Sequence, residues 1–316
     1  MGQYIVRRLL LAVPSVLLVS LVIFSLMRIV PGDVVMARIS EGGFLTEEAL
    51  AEIRAELGID RPFMQQYVSW LGHALQGDLG KSLWSDEPVL RTILERSKVS
   101  VQLAVMGMAM TVMIAIPLGV LSAIKQDSWM DYGARFFSIL GLSLPDFWIA
   151  TVLILFLSLY VGWLPQFGYF PLWSDPVKNL QAMIFPALII GYRLSAISAR
   201  MTRSTMLEVL REDYVRTARA KGLGERTVIY RHALRNAVLP VITIMGAQTV
   251  NLLGGLVIIE TIFALPGVGR LLLDAVILRD YTVVQGMVVT FAVLFVVANL
   301  IVDLSYAVID PRIRYR

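Results

Sequence analysis

Hydrophobic residues in this chain of 316 amino acids are gathered into long runs separated by polar stretches. A helix needs about 17–25 mostly apolar residues to cross the hydrocarbon core of a bilayer. Six runs reach that length, which predicts an all-α polytopic membrane protein with six transmembrane helices. The predicted spans cover about residues 9–30, 101–124, 136–161, 182–199, 238–262 and 283–308.

The polar stretches divide the chain into three parts. Residues 1–30 hold the N-terminal end and the first span, residues 31–98 form a small insertion, and residues 99–316 form a five-helix core. The first run is too long for a signal peptide and no small-x-small cleavage site follows it, so it is predicted to be a retained anchor. A polar loop over 200–236 interrupts the core.

Shorter signals predict local structure between and within the spans. Thr46 is predicted to cap a helix over 47–57, and Trp70 and Leu75 mark a second short helix. Ser143-Leu-Pro-Asp146 predicts a break in the third span, because proline removes a backbone donor and restricts the residue before it. A short amphipathic helix is predicted over 270–280.

Composition agrees with the membrane assignment and limits the chemistry. The chain is 57% hydrophobic and 16% charged, whereas soluble domains carry roughly 25% charged residues. It has no cysteine, so a disulfide framework and a thiolate metal site are excluded. The net charge of +4 comes from loops that flank the spans, which gives no reason to expect nucleic acid as a partner.

The distribution of charge predicts an orientation. Polar segments at both termini, between the second and third spans, and at 200–236 carry 16 Lys and Arg and 7 Asp and Glu, whereas the other loops carry 10 and 14. Basic residues near the ends of spans stay in the cytoplasm. Both termini and the 200–236 loop are therefore predicted to be cytoplasmic, with the 31–98 insertion outside.

The 200–236 loop contains a patterned basic stretch. Leu207, Leu210, Tyr214 and Ala218 recur at spacings of three and four, which predicts one face of a helix that begins near residue 206. Gly222 is predicted to end the helix in the left-handed conformation. The pattern alone leaves three interpretations open: a solvated loop helix, a basic helix lying on lipid, and a docking helix for a cytoplasmic partner.

Two stretches resemble nucleotide-binding motifs without completing them. Gly77-Asp-Leu-Gly-Lys-Ser82 ends like a phosphate-binding loop, but Leu75 stands where the motif needs its first glycine. Leu300-Ile-Val-Asp303 lies inside a predicted span. The two histidines, His73 and His232, fall on opposite predicted sides of the membrane, so no catalytic pair is predicted.

Polar residues within spans are costly and usually face a pathway or a partner helix. Arg193 is predicted to meet either a carboxylate of a transported substrate or an acidic residue on a neighbouring span. Amides in spans more often join helices. The residues predicted for a translocation path are Arg193, Asn251, Glu260, Asn299 and Asp303, with Gln102 and Gln248 as further positions.

Several motifs resemble those of binding-protein-dependent ABC importer permeases, and the resemblance covers nearly the whole chain. The polar loop carries Tyr214-Val-Arg-Thr-Ala-Arg-Ala-Lys-Gly-Leu223 and Arg231-His-Ala-Leu-Arg-Asn-Ala-Val-Leu-Pro240. These resemble the dipeptide, oligopeptide and nickel branch, and the N-terminal features resemble its B-type permease. Other matching stretches are Tyr4-Ile-Val-Arg-Arg-Leu9, Gly77-Asp-Leu-Gly80, Glu260-Thr-Ile-Phe263, Pro266-Gly-Val-Gly269, Arg279-Asp-Tyr281 and Asp303-Leu-Ser-Tyr306.

One part of the loop departs from the pattern of the wider superfamily. That pattern begins Glu-Ala-Ala, with a glycine four residues after the second alanine. Here Arg216 and Thr217 replace the acid and the first alanine, and the distance from Gly222 to Leu239-Pro240 is longer. Contacts known for sugar-importer permeases therefore do not transfer in detail.

The resemblance implies a type I, MetI-like permease fold in a prokaryotic inner membrane and a non-catalytic role. Implied partners are a second, C-type permease, two ABC ATPase subunits, a substrate-binding protein outside and membrane lipid. ATP and Mg would be bound by the ATPases, with no cofactor on this chain. The implied coupling residues are Leu210, Asp213, Tyr214, Arg216, Thr217, Ala218, Arg219, Ala220, Lys221 and Gly222.

Peptides are the substrates that this branch implies, while nickel complexes, glutathione and oligosaccharides stay open. A self-contained channel or secondary transporter is the alternative class. Such a transporter would favour inverted repeats with two broken helices, and no clear repeat is visible in the sequence.

Overall fold

The computed structural model describes residues 2–29, 61–165 and 168–309, and most of these residues are helical. The predicted helix over 47–57 lies outside the described residues. The helices are α1 (Gly2–Ile29), α2 (Phe63–Leu75), α3 (Val89–Ile124), α4 (Trp129–Ser143), α5 (Asp146–Val161), α6 (Pro176–Val209), α7 (Asp213–Ala220), α8 (Glu225–Thr227), a π-helix (Val228–Ala233), α9 (Leu234–Ile262), α10 (Val268–Ile277) and α11 (Tyr281–Ile309).

Four described helices are long and apolar enough to cross a membrane, and the number reaches the predicted six if each of two bent pairs counts as one span. The long helices are α1, α3, α6 and α11. The helices α4 and α5 meet at 105°, and this bend confirms the break predicted at Ser143–Asp146. Leu144 is extended there (ψ 129°) and Pro145 precedes the first residue of α5, which is the conformation that proline imposes on its neighbour.

Two helices are longer than their apolar runs predicted. α3 begins at Val89 and α6 extends from Pro176 to Val209. At the start of α6 the Asp175 side chain accepts a hydrogen bond from the Lys178 N–H at 3.0 Å. This bond and the Lys178 ammonium hold the pKa of the Asp175 carboxyl below its ordinary value. Hydropathy identified the apolar part of each helix and missed the polar turns beyond it.

The chain forms two compact units. One comprises Met1–Lys98 with Arg270–Val297, and its described part is held together around Phe24. The Phe24 ring packs against Phe63, Tyr67 and Trp70 with ring centroids 5.3–5.7 Å apart. The Tyr67 hydroxyl lies 2.8 Å from Ser20 Oγ, so α2 is bound to the buried side of α1.

The stretch that resembles a phosphate-binding loop has a structural role in this first unit. Asp280 accepts hydrogen bonds from Ser82 Oγ at 2.6 Å and from the Leu83 N–H at 3.1 Å. The Trp84 indole N–H donates to the Leu278 carbonyl at 2.9 Å. The loop is therefore bound to the start of α11 by its own side chains and backbone.

The other unit comprises Val99–Gly269 with the segment from Ala298, and α6 lies at its centre. Of the apolar window of α6, 61% is buried, compared with 11–33% in the other three long helices. Small residues allow this close packing. A Cβ added at Gly119 of α3 would lie 2.7 Å from the Ala199 carbonyl of α6, so a larger residue there would separate the helices.

Candidate coupling surface and translocation site

The predicted continuous helix from residue 206 to Gly222 is wrong, because the chain breaks between α6 and α7. The Arg211 and Glu212 N–H groups bond to carbonyls three residues back, and Glu212 is extended (φ −67°, ψ 146°). α6 ends at Val209 and α7 begins at Asp213. The break turns α7 so that its apolar side packs back on the same chain.

The buried side of α7 consists of Val215 and Ala218, three residues apart. They are 0% and 6% exposed and pack with buried Val228, while Val209 and Leu210 cover them in part. The sequence pattern placed Tyr214 on the predicted apolar face, whereas Tyr214 is 40% exposed in the structure. Ala218 therefore packs against residues of its own chain.

The opposite side of α7 is exposed and largely polar. Arg216 and Asp213 form a loose pair at 3.6 Å with side chains 75% and 97% exposed. Leu210 is half-buried. The other predicted coupling residues on this surface are Tyr214, Thr217, Arg219, Ala220, Lys221 and Gly222, all exposed.

Gly222 ends α7 as the sequence predicted. Its φ is +76°, in the left-handed region that glycine adopts at little cost. The Leu223 N–H bonds to the Ala218 carbonyl at 3.4 Å and the Gly222 N–H to the Arg219 carbonyl at 2.9 Å. These two bonds form a Schellman motif, and they fix the direction in which the chain leaves the helix.

An ion pair crosses this stop. Arg219 Nε donates to Glu225 Oε1 at 2.8 Å, with side chains 41% and 61% exposed. The exposed pair is expected to contribute only about 0.2–1 kcal/mol, but it links the two arms of the turn.

α7 is joined to the two long helices on either side of it. The Asn236 amide donates to the Tyr214 hydroxyl at 2.7 Å, which connects α7 to α9. Thr205 Oγ1 donates to the Ala237 carbonyl at 2.9 Å, and fully buried Met206 packs with Ala233 and Ala237. α7 is therefore bound to the beginning of α9, and α9 is in turn bound to the end of α6.

A π-helix over Val228–Ala233 leads into α9. Its residues Val228, Ile229 and Ala233 are buried. Single π-turns within helices are rare and are frequent at functional sites. The spacing of apolar residues between positions 225 and 236 does not distinguish this turn from an ordinary α-helix.

A buried carboxylate that the sequence analysis missed fixes α4 to α6. Asp131 is fully buried and pairs with Arg203 at 2.8 Å and with Arg135. Ser122 Oγ donates to it at 2.5 Å and the Asp127 N–H at 3.0 Å. The spacing of Asp131 and Arg135 was a weak helical signal, but the contact with Arg203 depends on tertiary packing.

Arg193 lies near the middle of α6 and forms an ion pair with Asp146, the first residue of α5. Arg193 Nη1 lies 2.5 Å from Asp146 Oδ2, with side chains 54% and 12% exposed. The prediction that Arg193 meets an acid on a neighbouring span is confirmed. Asp146 Oδ1 is buried and has no hydrogen-bond partner among the described residues.

This pair lines a cavity of about 140 Å³ between α5, α6 and α9. Gln248 lies at its wall and is fixed by a hydrogen bond from Ser198 Oγ at 3.1 Å. The remaining lining residues are Ile190, Leu194, Ile197, Leu252 and Gly255.

The other residues predicted for the path are placed differently. Glu260 is fully buried and accepts a hydrogen bond at 2.5 Å from Ser100 Oγ, which in turn accepts from the Val268 N–H at 2.9 Å. Asn299 is half-buried, and neither it nor Glu260 lines the cavity.

The side chains of Asn251 and Asp303 lie outside the described residues. Gln102 joins helices by a bond to Asn179 at 2.6 Å.

Comparison with known proteins agrees with this arrangement. Residues 115–315 match the family of binding-protein-dependent transport system inner membrane components, and residues 1–104 match the N-terminal domain of such membrane components. The dipeptide transport system permease protein DppB of Escherichia coli (strain K12) is 40% identical over 339 residues, with all of both chains covered. DppB of Alkalihalophilus pseudofirmus is 38% identical over 336 residues, again over the whole of both chains.

Solved structures support the fold. A structure of the MetNI methionine ABC transporter in an inward-facing conformation has a chain that superposes with a TM-score of 0.58 at 17% identity. The match covers 71% of this chain and 99% of that chain. An amino acid ABC transporter gives a TM-score of 0.51 at 13% identity, over 68% of this chain and 93% of that chain. The chain belongs to the family of binding-protein-dependent transport system inner membrane components, as the resemblance of its motifs predicted.

Proposed function

We propose that this permease carries di- and oligopeptides and that partner ATPases drive it through α7. The observation that carries the proposal is the construction of α7. Its buried residues Val215 and Ala218 pack on its own chain, while its other side is exposed and rich in basic residues. A helix of this kind transmits force only if a moving partner holds its exposed side.

The connections of α7 support a coupling role over a role as a solvated loop. The Tyr214–Asn236 bond links α7 to α9, and the Thr205–Ala237 bond links α9 to the end of α6. Both of these helices line the cavity that contains Arg193. A solvated loop would need neither the Schellman stop nor these links to the two helices.

The basic residues on α7 suggest the chemistry of the partner surface. Arg216 and Arg219 are exposed on α7, and Lys221 is exposed directly after it. We expect them to lie against acidic residues at the rim of a cleft on the ATPase, with Thr217 and Ala220 deeper in it. ATP and Mg would then be bound by the ATPase subunits, and this chain would contribute no catalytic residue.

Peptides are the proposed substrates because full-length relatives are named as dipeptide permeases. A second, C-type permease would complete the path, and a binding protein outside would deliver the peptide. The same machinery would serve nickel complexes, glutathione or oligosaccharides if the binding protein selected them, so the substrate needs a direct transport test.

Bulky substitutions on the exposed side of α7 test the coupling. Thr217→Trp and Ala220→Trp should leave membrane insertion intact, lower recovery of the ATPase subunits on pull-down and abolish peptide-stimulated ATP hydrolysis. Gln126→Trp is the matched control, because Gln126 is exposed in the turn between α3 and α4. Normal assembly and normal stimulation in both α7 variants would show that α7 is not the coupling element.

Reconstitution tests the substrate. The complete transporter in proteoliposomes, with its binding protein and internal ATP, should accumulate a labelled dipeptide and not a nickel complex or an oligosaccharide. Uptake without any ATPase subunit would instead place the chain among self-contained transporters.

A further inference from the structure

Both bends of the described spans lie beside the cavity that contains Arg193. Asp146 follows the 105° bend between α4 and α5, and a second bend of 67° separates Thr249 from Gly254 in α9. Gln248 and Gly255 flank that second bend and line the cavity. Interrupted helices at membrane depth persist where the backbone is buried in protein or lines a cavity. In secondary transporters, breaks between helices commonly form the binding site, and Asp146 directly follows the break between α4 and α5.

The Asp146 carboxylate is incompletely satisfied. Oδ2 pairs with Arg193 at 2.5 Å, while Oδ1 is buried and without a hydrogen-bond partner among the described residues. Leaving a buried acceptor unpaired is costly, so Oδ1 provides a place for a donor from a ligand. Asp146 also lies in the first turn of α5, where the helix dipole stabilises a negative charge when Arg193 turns away.

Arg193 provides the complementary group. Its side chain is 54% exposed, and a guanidinium has several N–H donors in a fork that matches a carboxylate. It therefore has room to turn from Asp146 toward a ligand. The wall behind the pair is apolar and consists of Ile190, Leu194, Ile197 and Leu252 with Gly255.

Charge balance selects the class of ligand. The ion pair is neutral as a whole, so a ligand with a single charge would leave one member of the pair without an ionic partner. This is most unfavourable for Asp146, whose side chain is only 12% exposed. A zwitterion leaves none, because its ammonium pairs with Asp146 while its carboxylate pairs with Arg193. One ion pair is then replaced by two, and no net charge enters the site.

The size of the cavity selects small ligands. Its volume of about 140 Å³ is below the roughly 300–1,000 Å³ of pockets that enclose drug-sized molecules. We propose that Asp146 and Arg193 bind the free amino and carboxyl groups of a short zwitterionic peptide, with the apolar wall accepting its side chains. This assignment rests on the proposed function and adds the chemistry by which the permease recognises its substrate.

Direct binding to the purified complete complex without the binding protein tests this proposal. The probes are Ala-Ala, N-acetyl-Ala-Ala and Ala-Ala-amide at millimolar concentration, and the readout is the shift in thermal unfolding midpoint. We expect Ala-Ala to stabilise the wild-type complex, and each blocked peptide to bind at least about tenfold more weakly, because each loses one charged contact.

Two variants should invert this preference. Asp146→Asn leaves a lone cation, so it should prefer N-acetyl-Ala-Ala. Arg193→Gln leaves a lone carboxylate, so it should prefer Ala-Ala-amide. Arg91→Gln is the control, because Arg91 forms an exposed ion pair with Glu95 at 3.0 Å elsewhere in the chain. A pair that only braces the bundle would weaken assembly without inverting any preference.

The outcomes separate this inference from the proposed function. If the wild-type complex transports peptides but all three probes shift its midpoint equally or not at all, the site assignment is wrong and the proposed function stands. If a variant does not assemble, comparison of the three probes on the wild-type complex still tests the site assignment. If the complete transporter carries no peptide, the proposed function itself fails.

Discussion

Asp131 of α4 and Arg203 of α6 form a two-point contact across 72 positions of sequence. Arg203 Nε donates to Oδ1 at 2.8 Å and Nη2 donates to Oδ2 at 2.9 Å. The Arg203 position lies six residues before the end of α6, where the chain turns into α7. The contact therefore fixes the bent α4–α5 pair, which carries Asp146, to the end of α6 that precedes α7.

Removing one side of this contact should destabilise the protein. Arg203→Met leaves fully buried Asp131 with Arg135 as its remaining ion-pair partner, and we expect a loss of about 1.5–3 kcal/mol in the free energy of unfolding. Denaturation of the purified protein in detergent measures the loss. Peptide-stimulated ATP hydrolysis should also fall, since α4 and α6 would no longer move together.

A double variant provides the control. In Asp131→Asn with Arg203→Met, no unpaired charge stays buried, so stability should recover much of the loss caused by Arg203→Met alone. Additive losses in the two single variants would show that the residues act independently and that the contact has no coupling energy.

The coupling segment shows how far sequence reasoning reaches. Gly222 was predictable because a glycine that ends a polar helix has one main structural use. The buried face of α7 could not be predicted. The spacing of Leu210, Tyr214 and Ala218 fits one continuous helix, and the spacing of Val215 and Ala218 fits a short separate helix equally well. The choice depends on Val228 and on the end of α6, which pack against α7 only in the folded chain.

Among the charged residues near the spans, one contact was also predictable from the sequence and another was not. Arg193 was predicted to meet either a substrate carboxylate or an acid on a neighbouring span, because a lone arginine in a span needs compensation. The structure pairs it with Asp146. Asp131 was counted only as a loop charge. Its burial depends on contacts with Ser122 and Arg203, and no local pattern specifies contacts of that range.

The loop after α9 should not tolerate a side chain at Gly267. A Cβ there would overlap the carboxylate of Glu260, which is fully buried and bonded to Ser100. Gly267→Ala should therefore lower the free energy of unfolding by about 1–3 kcal/mol. Gly133→Ala is the control, because Gly133 lies in α4 with nothing near its Cβ position. Alanine there should be neutral or stabilising by up to about 1 kcal/mol. Equal effects at the two positions would contradict the predicted overlap.

The orientation in the membrane is testable with single cysteines, since the chain has none of its own. Trp173 is 87% exposed before α6, and the side chain of Arg216 is 75% exposed on α7. In intact cells an impermeant thiol reagent should label Trp173→Cys and not Arg216→Cys. Permeabilised cells should label both. Labelling of Arg216→Cys alone in intact cells would show that the orientation is opposite to the predicted one.

The stop at Gly222 should matter for coupling more than for insertion. Gly222→Ala places a Cβ on a backbone with φ +76°, which is expected to cost roughly 1–2 kcal/mol. No other atom lies within 4 Å of that Cβ position, so the whole effect comes from the backbone. The chain can avoid the cost by unwinding the Schellman turn, which would release Leu223 and change the direction in which the segment leaves α7.

The measurement compares two neighbouring glycines. Gly224 has φ −61° and open space around it, so Gly224→Ala should leave peptide-stimulated ATP hydrolysis close to wild type. Gly222→Ala should reduce that stimulation while membrane insertion stays normal. Gly222→Asn should be milder, because asparagine enters the left-handed region more easily than alanine. If Gly222→Ala and Gly224→Ala behave alike, the direction of the chain after α7 does not affect coupling, and force must pass through the Tyr214–Asn236 contact instead.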